Sequence, residues 1–215
     1  MKFFLFSFLL LFSTINNFAQ LGKTIHQQEL EYYNSIPNSN ADYYESINQP
    51  SSVINNEKSG CELNKVVYGW HPYWVGSVYQ NYNWDLLSHF SFFSYEVNPS
   101  DGEAITTHGW SSSSAVDAAL NSGNTKVTLT VTLFSNHATF FNSSSAQQTL
   151  ITNLINLVQT RAAHGVNIDI EGLPATYKTA FANFMVDLCV QMHSAIPGSE
   201  VSTVLYAVDW NNVFD

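Results

Sequence analysis

The run HGVNIDIEGLP, His164 to Pro174, limits the fold more than any other stretch of this chain. Asn167, Asp169 and Glu171 stand at alternate positions, with Val166, Ile168 and Ile170 between them. A β-strand points successive side chains to opposite faces, so the run has one β-branched apolar face and one face of an amide and two carboxylates. If the polar face met only solvent, this would be an ordinary half-exposed strand. If it looks into an enclosed space, it is a candidate active site.

The neighbouring patterns favour the enclosed space. From Lys65 onward, strand-like runs (Val66 to Trp70, Leu86 to Tyr95, Lys126 to Phe134, Val201 to Val208) alternate with helical ones. Ser111 to Asn121 is expected to be helical, stopped by Gly123. Ala146 to Ala163 carries a stripe of Leu150, Leu154 and Leu157, with Ile151, Ile155 and Val158 beside it. Tyr177, Phe181, Phe184, Met185, Leu188 and Met192 mark a further helix, ended by Ile196-Pro197-Gly198. Strands alternating with helices of this length imply a parallel sheet, either open and doubly wound or a (β/α)8 TIM barrel. The acidic strand favours the barrel, where Val166, Ile168 and Ile170 face the helices and Asn167, Asp169 and Glu171 face the axis. Glu171 then lies at the C-terminal end of its strand, where such barrels carry their chemistry. KVTLTVTLF fits the same scheme with Thr128, Thr130 and Thr132 inward. About 150 residues follow the leader, against the ~250 of a whole barrel, so the expectation is an incomplete barrel of about five strands of eight.

Three segments are expected: residues 1–19 as a signal peptide, 20–64 as a polar leader or linker, and 65–215 as the barrel portion. Lys2 followed by the apolar run Phe3 to Phe12, with Ala19 as a cleavage point, has the form of a secretory signal; an N-terminal membrane anchor is the competing reading. The expected location is therefore secreted, extracellular or cell envelope, with no membrane association after cleavage. The leader has few periodic apolar residues; one short helix is expected in it, with the pairs Tyr32-Tyr33 and Tyr43-Tyr44 as points of docking. Cys61 and Cys189 could pair in an exported chain, yet Cys189 shares a helical face with Met185, Leu188 and Met192, as a buried thiol would. The net charge of -10 excludes the basic footprint that nucleic-acid binding needs. His71, His89, His108, His137 and His164 show no metal-ligand spacing, so neither a metal nor another cofactor is expected.

HGVNIDIE resembles the signature of family 18 glycoside hydrolases, the chitinase-like enzymes, which reads Asp-Gly-x-Asp-x-Asp-x-Glu on the fourth strand of a (β/α)8 barrel. Gly165, Asp169 and Glu171 match it; Asn167 stands where Asp or Asn is usual, and His164 replaces the first Asp. YGWHPYW, Tyr68 to Trp74, resembles the family's aromatic first strand, and SHFSFFSY, Ser88 to Tyr95, its second. Where these enzymes often have a Ser-x-Gly-Gly turn after the third strand, this chain has Leu133 to Asn136, LFSN, closer to the spore-cortex and cell-wall branch. The resemblance covers roughly Lys65 to Asp215.

The resemblance implies a secreted hydrolase of β-1,4-linked N-acetylglucosamine polymers, with no obligate protein partner. Glu171 is then general acid and later base, in a retaining mechanism where the substrate's own acetamido group attacks. Asp169 orients the acetamido N–H, and Asn167 holds Asp169. Residues two apart on a strand are ~6.6–6.8 Å apart along it and share a face, so Asp169 can raise the Glu171 pKa. Trp70 is the expected sugar platform, with Asp209 as a further substrate-lining residue. The family's sixth-strand Tyr is missing, so the fragment alone is expected to be inactive. The rival is a non-catalytic lectin on the same scaffold, which typically loses the acid that Glu171 retains. In the plainest alternative, Glu171 only caps the next helix.

Overall fold

The structure, a computed structural model, describes residues 23–37, 39–47, 63–207 and 213–214. The expected signal peptide, Cys61, Asp209 and the end of the last strand at Val208 lie outside the described residues.

Five parallel strands form an arc: β1 (Tyr68–Pro72), β2 (His89–Val97), β4 (Lys126–Leu133), β5 (Gly165–Ile170) and β6 (Glu200–Thr203). The acidic strand β5 is thus the fourth of the parallel set, as the resemblance implied. A short strand β3 (Ala104–Thr106), with no counterpart in the periodicity, pairs antiparallel with β2. The helices of the arc are α3 (Ser114–Asn121), α4 (His137–Phe141), α5 (Ser144–Arg161) and α6 (Lys178–Ala195). No α-helix joins β1 to β2; two 3-10 segments, Tyr73–Asn81 and Trp84–Leu86, make that crossover. Among the described residues the arc does not close, so β1 and β6 are its edges. Cavities of about 400 Å³ beside Gly69 and Tyr82 and about 470 Å³ beside Phe181 and Leu205 flank the two edges.

The two faces of the arc separate as the alternation demands. Val127, Leu129 and Val131 of β4 and Val166, Ile168 and Ile170 of β5 are buried in one apolar core with Leu150, Leu154 and Val158 of α5 and Phe184, Leu188 and Met192 of α6. Leu157 and Ile155 lie only at its margin, because α5 turns its 150–154–158 row inward. On the concave face the hydroxyls satisfy one another. Tyr68 bonds Thr128 at 2.8 Å, Thr128 donates to Ser91 at 2.9 Å, and Ser91 meets Thr130 at 2.7 Å. Such pairing removes the cost of burying them.

Gly165 shows why the signature carries a glycine at the start of its strand. A Cβ there would lie 1.9 Å from the Glu200 carbonyl oxygen, so only a residue without one lets β6 pair at that point. His164, which departs from the signature, sits at the same end and accepts a hydrogen bond at Nδ1 from the Val127 amide at 3.0 Å.

Two helices, not one, occupy the segment before the arc: α1 (Ile25–Asn34) and α2 (Ala41–Ile47). Both pack on it through one tyrosine of each pair, Tyr33 and Tyr44, while Tyr32 and Tyr43 stay exposed. Tyr33 stacks on Trp74 with centroids 4.6 Å apart and planes 8° from parallel, and Tyr44 is buried against Tyr73. The Glu45 carboxylate accepts from the Ser113 hydroxyl and from the Ser114 and Ala115 amides, and so caps α3 from another helix. Among the described residues Cys189 has no disulfide partner, and it is half-buried on α6, less enclosed than its helical face suggested. Among the described residues no helix is long and apolar enough to cross a membrane.

Candidate functional site

The carboxylates arrive at the mouth through the register of β5. Asn167, Asp169 and Glu171 follow one another up the concave face, beside Thr130 and Thr132 of β4. Asp169 is 0% exposed and Glu171 8% exposed. Asp169 Oδ1 is buried without a hydrogen-bond partner among the described residues. Burial, and after it the charge of Asp169, pushes the Glu171 pKa above its ordinary value, while Thr24 and His26 oppose the shift. The sequence pointed to Asp169 as the source of the shift; desolvation is the larger cause.

The backbone that carries Glu171 is held from two sides. His137 Nε2 contacts the Glu171 carbonyl at 3.0 Å, and burial lowers the His137 pKa, so a neutral ring donates there. The Tyr206 hydroxyl accepts from the Gly172 amide at 3.1 Å. The Glu171 Oε2 accepts from the Thr24 hydroxyl, and the helical segments that follow start at Pro174 and Tyr177 instead of at Glu171.

Asn167 does not hold Asp169, contrary to expectation. Its amide oxygen accepts from Trp70 Nε1 at 3.0 Å and its amide nitrogen donates to Ser202 at 2.9 Å. The strand pleat puts Asn167 a full repeat below Asp169, closer to the flanking strands than to the next carboxylate. Asn167 therefore fixes Trp70, which is 39% exposed at the mouth with Tyr68 beside it at 4.9 Å.

Two site residues come from the segment read as a polar leader. His26 Nδ1 lies 3.2 Å from Asp169 Oδ2 and 3.8 Å from Glu171 Oε1. The hydrogen bond to Asp169 raises the His26 pKa, against its burial, and Glu171 and Glu29 add to the rise. His26 and the two carboxylates offer donor atoms within 4.8 Å of one another, a set that could hold a divalent cation. His26 lies apart from the five histidines whose spacing shows no metal-ligand pattern. A signal for the helix was present: Thr24-Ile25-His26-Gln27 has the spacing of a capping box, and Thr24 Oγ1 accepts from the Gln27 amide. Nothing local says that such a helix docks on the carboxylates.

No family model matches this chain, and no curated protein matches it. Solved structures do. A chitinase of Bacteroides thetaiotaomicron matches with a TM-score of 0.57 and 19% identity, over 69% of this chain and 49% of that one. A family 18 chitinase variant of Cycas revoluta, solved with a tetramer of N-acetylglucosamine, matches with a TM-score of 0.56 and 16% identity, over 69% and 49%. The C-terminal domain of a Desulfitobacterium hafniense protein described as a chitinase gives 0.54 and 18%, over 65% and 45%. The fold is that of the family 18, chitinase-like barrels. The chain spans about half the length of these structures.

Proposed function

We propose that this chain is the N-terminal part of an exported glycoside hydrolase that cleaves β-1,4-linked N-acetylglucosamine polymers, chitin or peptidoglycan. One observation carries the reading: Asp169 and Glu171 stand together, inward and buried, at the C-terminal end of the fourth parallel strand of a chitinase-like fold. The form of the first 19 residues supports export.

Glu171, its pKa raised, gives its proton to the glycosidic oxygen as the bond to C1 breaks. The acetamido oxygen of the same sugar attacks C1 and forms a cyclic cation, which retains the configuration overall. Asp169 Oδ1, buried and without a hydrogen-bond partner among the described residues, is suited to accept the acetamido N–H and to offset the positive charge. Water, deprotonated by Glu171, then opens the ring. Trp70, fixed by Asn167, offers a face on which a sugar can stack.

The test is cleavage of acetylated chito-oligosaccharides and of purified peptidoglycan by the full-length gene product, beside its Glu171→Gln variant. A loss of ~10²–10⁴-fold in the variant is expected of a general acid. Oligosaccharide binding by both proteins with cleavage by neither would make the protein a lectin.

A further inference from the structure

Helix α1 lies across the mouth of the arc and ends on the two carboxylates. We infer that α1 is an intramolecular plug, whose Thr24 and His26 occupy the place of the sugar to be cleaved and hold the site closed until the helix leaves. This inference rests on the proposed function of Asp169 and Glu171 and adds a regulation to it.

A glycosidic oxygen must come within ~2.6–3.2 Å of Glu171 to receive its proton. That position is taken. Thr24 Oγ1 is hydrogen-bonded to Glu171 Oε2, and the His26 ring stands before Oε1 and Asp169. The same ring lies 6.3 Å from Trp70 and 5.7 Å from Phe93, between the carboxylates and the aromatic wall. On its two sides α1 leaves cavities of about 210 Å³, against Glu96 and Thr132, and about 80 Å³, against Trp70 and Phe93. Both fall short of the ~300–1,000 Å³ of ligand pockets.

The helix is fastened along its length. Leu30 is buried and Tyr33 stacks on Trp74. At the far end Asn34 donates to Glu96 at 2.7 Å and accepts from the Tyr73 hydroxyl at 3.0 Å. Only the first turn touches the carboxylates, so that turn can be altered while the rest of the dock remains.

The full-length gene product is compared with a Thr24→Gly/His26→Ala variant, in chelator so that no cation bridges the triad. Glycine at position 24 still starts a helix, since it is among the residues favoured at an N-cap. A second variant, Tyr33→Ala, loosens the dock from its far side without touching the site. Three readouts are taken: carbodiimide-driven amidation of Glu171 followed by mass spectrometry, binding of an N-acetylglucosamine tetramer, and cleavage of that tetramer. Amidation of Glu171 rising at least tenfold in both variants is the expected result, with tetramer affinity rising by a similar factor, since closure multiplies the apparent affinity by the open fraction. Folded variants that amidate Glu171 no faster than the parent would overturn the plug, whatever the protein does to sugars. So would a fall in tetramer binding and cleavage in the His26 variant, because α1 would then complete the site. Amidation that rises while no protein binds the tetramer would keep the plug and reject the proposed substrate.

Discussion

Glu45→Ala offers the sharpest test that α2 belongs to the folded domain. Ser113 stands at the start of α3 without a side-chain hydrogen bond to that helix, because its hydroxyl donates to Glu45 instead. The Glu45 carboxylate also accepts from the Ser114 and Ala115 amides at 3.0 and 3.3 Å, two of the donors a helix start leaves unpaired. Losing an N-cap costs about 1 kcal/mol, and losing a negative charge at a helix N-terminus about 0.3–1 kcal/mol. The buried Ser113 hydroxyl, 0% exposed, loses its acceptor as well, for roughly 1 kcal/mol. The sum is about 2–3 kcal/mol, or roughly 4–12 °C in Tm at 2–4 °C per kcal/mol. Urea and thermal unfolding of the parent, Glu45→Ala and Glu45→Gln measure it, with Gln recovering part of the loss through its remaining acceptor. A Glu45→Ala protein within 0.5 kcal/mol of the parent would show that α2 is not seated on α3 and would refute the reasoning.

Other outcomes follow from the same geometry. Gly165→Ala should cost about 3 kcal/mol or more, because its Cβ meets backbone at 1.9 Å; soluble yield and Tm report it. The hold of α1 should weaken as pH rises. The docked His26 pKa is raised, so its contribution is complete below 6.5 and is lost as pH climbs through the docked value; Asp169, Glu171 and Glu29 face the ring, and Tyr206 stands near the carboxylates. Glu171 amidation should therefore run faster at alkaline pH relative to an unplugged control, and an unchanged ratio between pH 5 and pH 8 would contradict it. At the other end of the arc, burial acts to raise the Glu200 pKa, but Lys126 and His89 outweigh it and hold the carboxylate below 4.5. The stability this lends is present above 4.5 and is lost as pH falls through the folded value, and a Glu200→Gln protein should lose that acid-side slope.

Local sequence determined much of this molecule. The two-residue alternation in β4 and β5 decides which side chains meet the helices and which meet the interior, because a strand has no other way to place them. The 3.6-residue repeats of α5 and α6 place those helices, and the identity of β5 as the fourth parallel strand follows from their order. What lay beyond reach depended on contacts distant in the chain. The crossover after β1 is made of 3-10 turns, because Tyr73 and Trp74 are taken up by α1 and α2 instead of by a helical stripe of their own. Asn167 turned to Trp70 and Ser202, since the hydrogen-bond partners of a residue on a sheet are set by neighbouring strands as well as by its own. Thr24 and His26 read as part of a polar leader, for the helix they open is polar on average, IHQQELEYYN, and buries only Leu30. Only tertiary structure brings them to Glu171 and Asp169, across separations of 147 and 143 residues in the chain. The chemistry of the carboxylates is written in a stretch of eleven residues; access to them is decided by a helix whose sequence says nothing of where it docks.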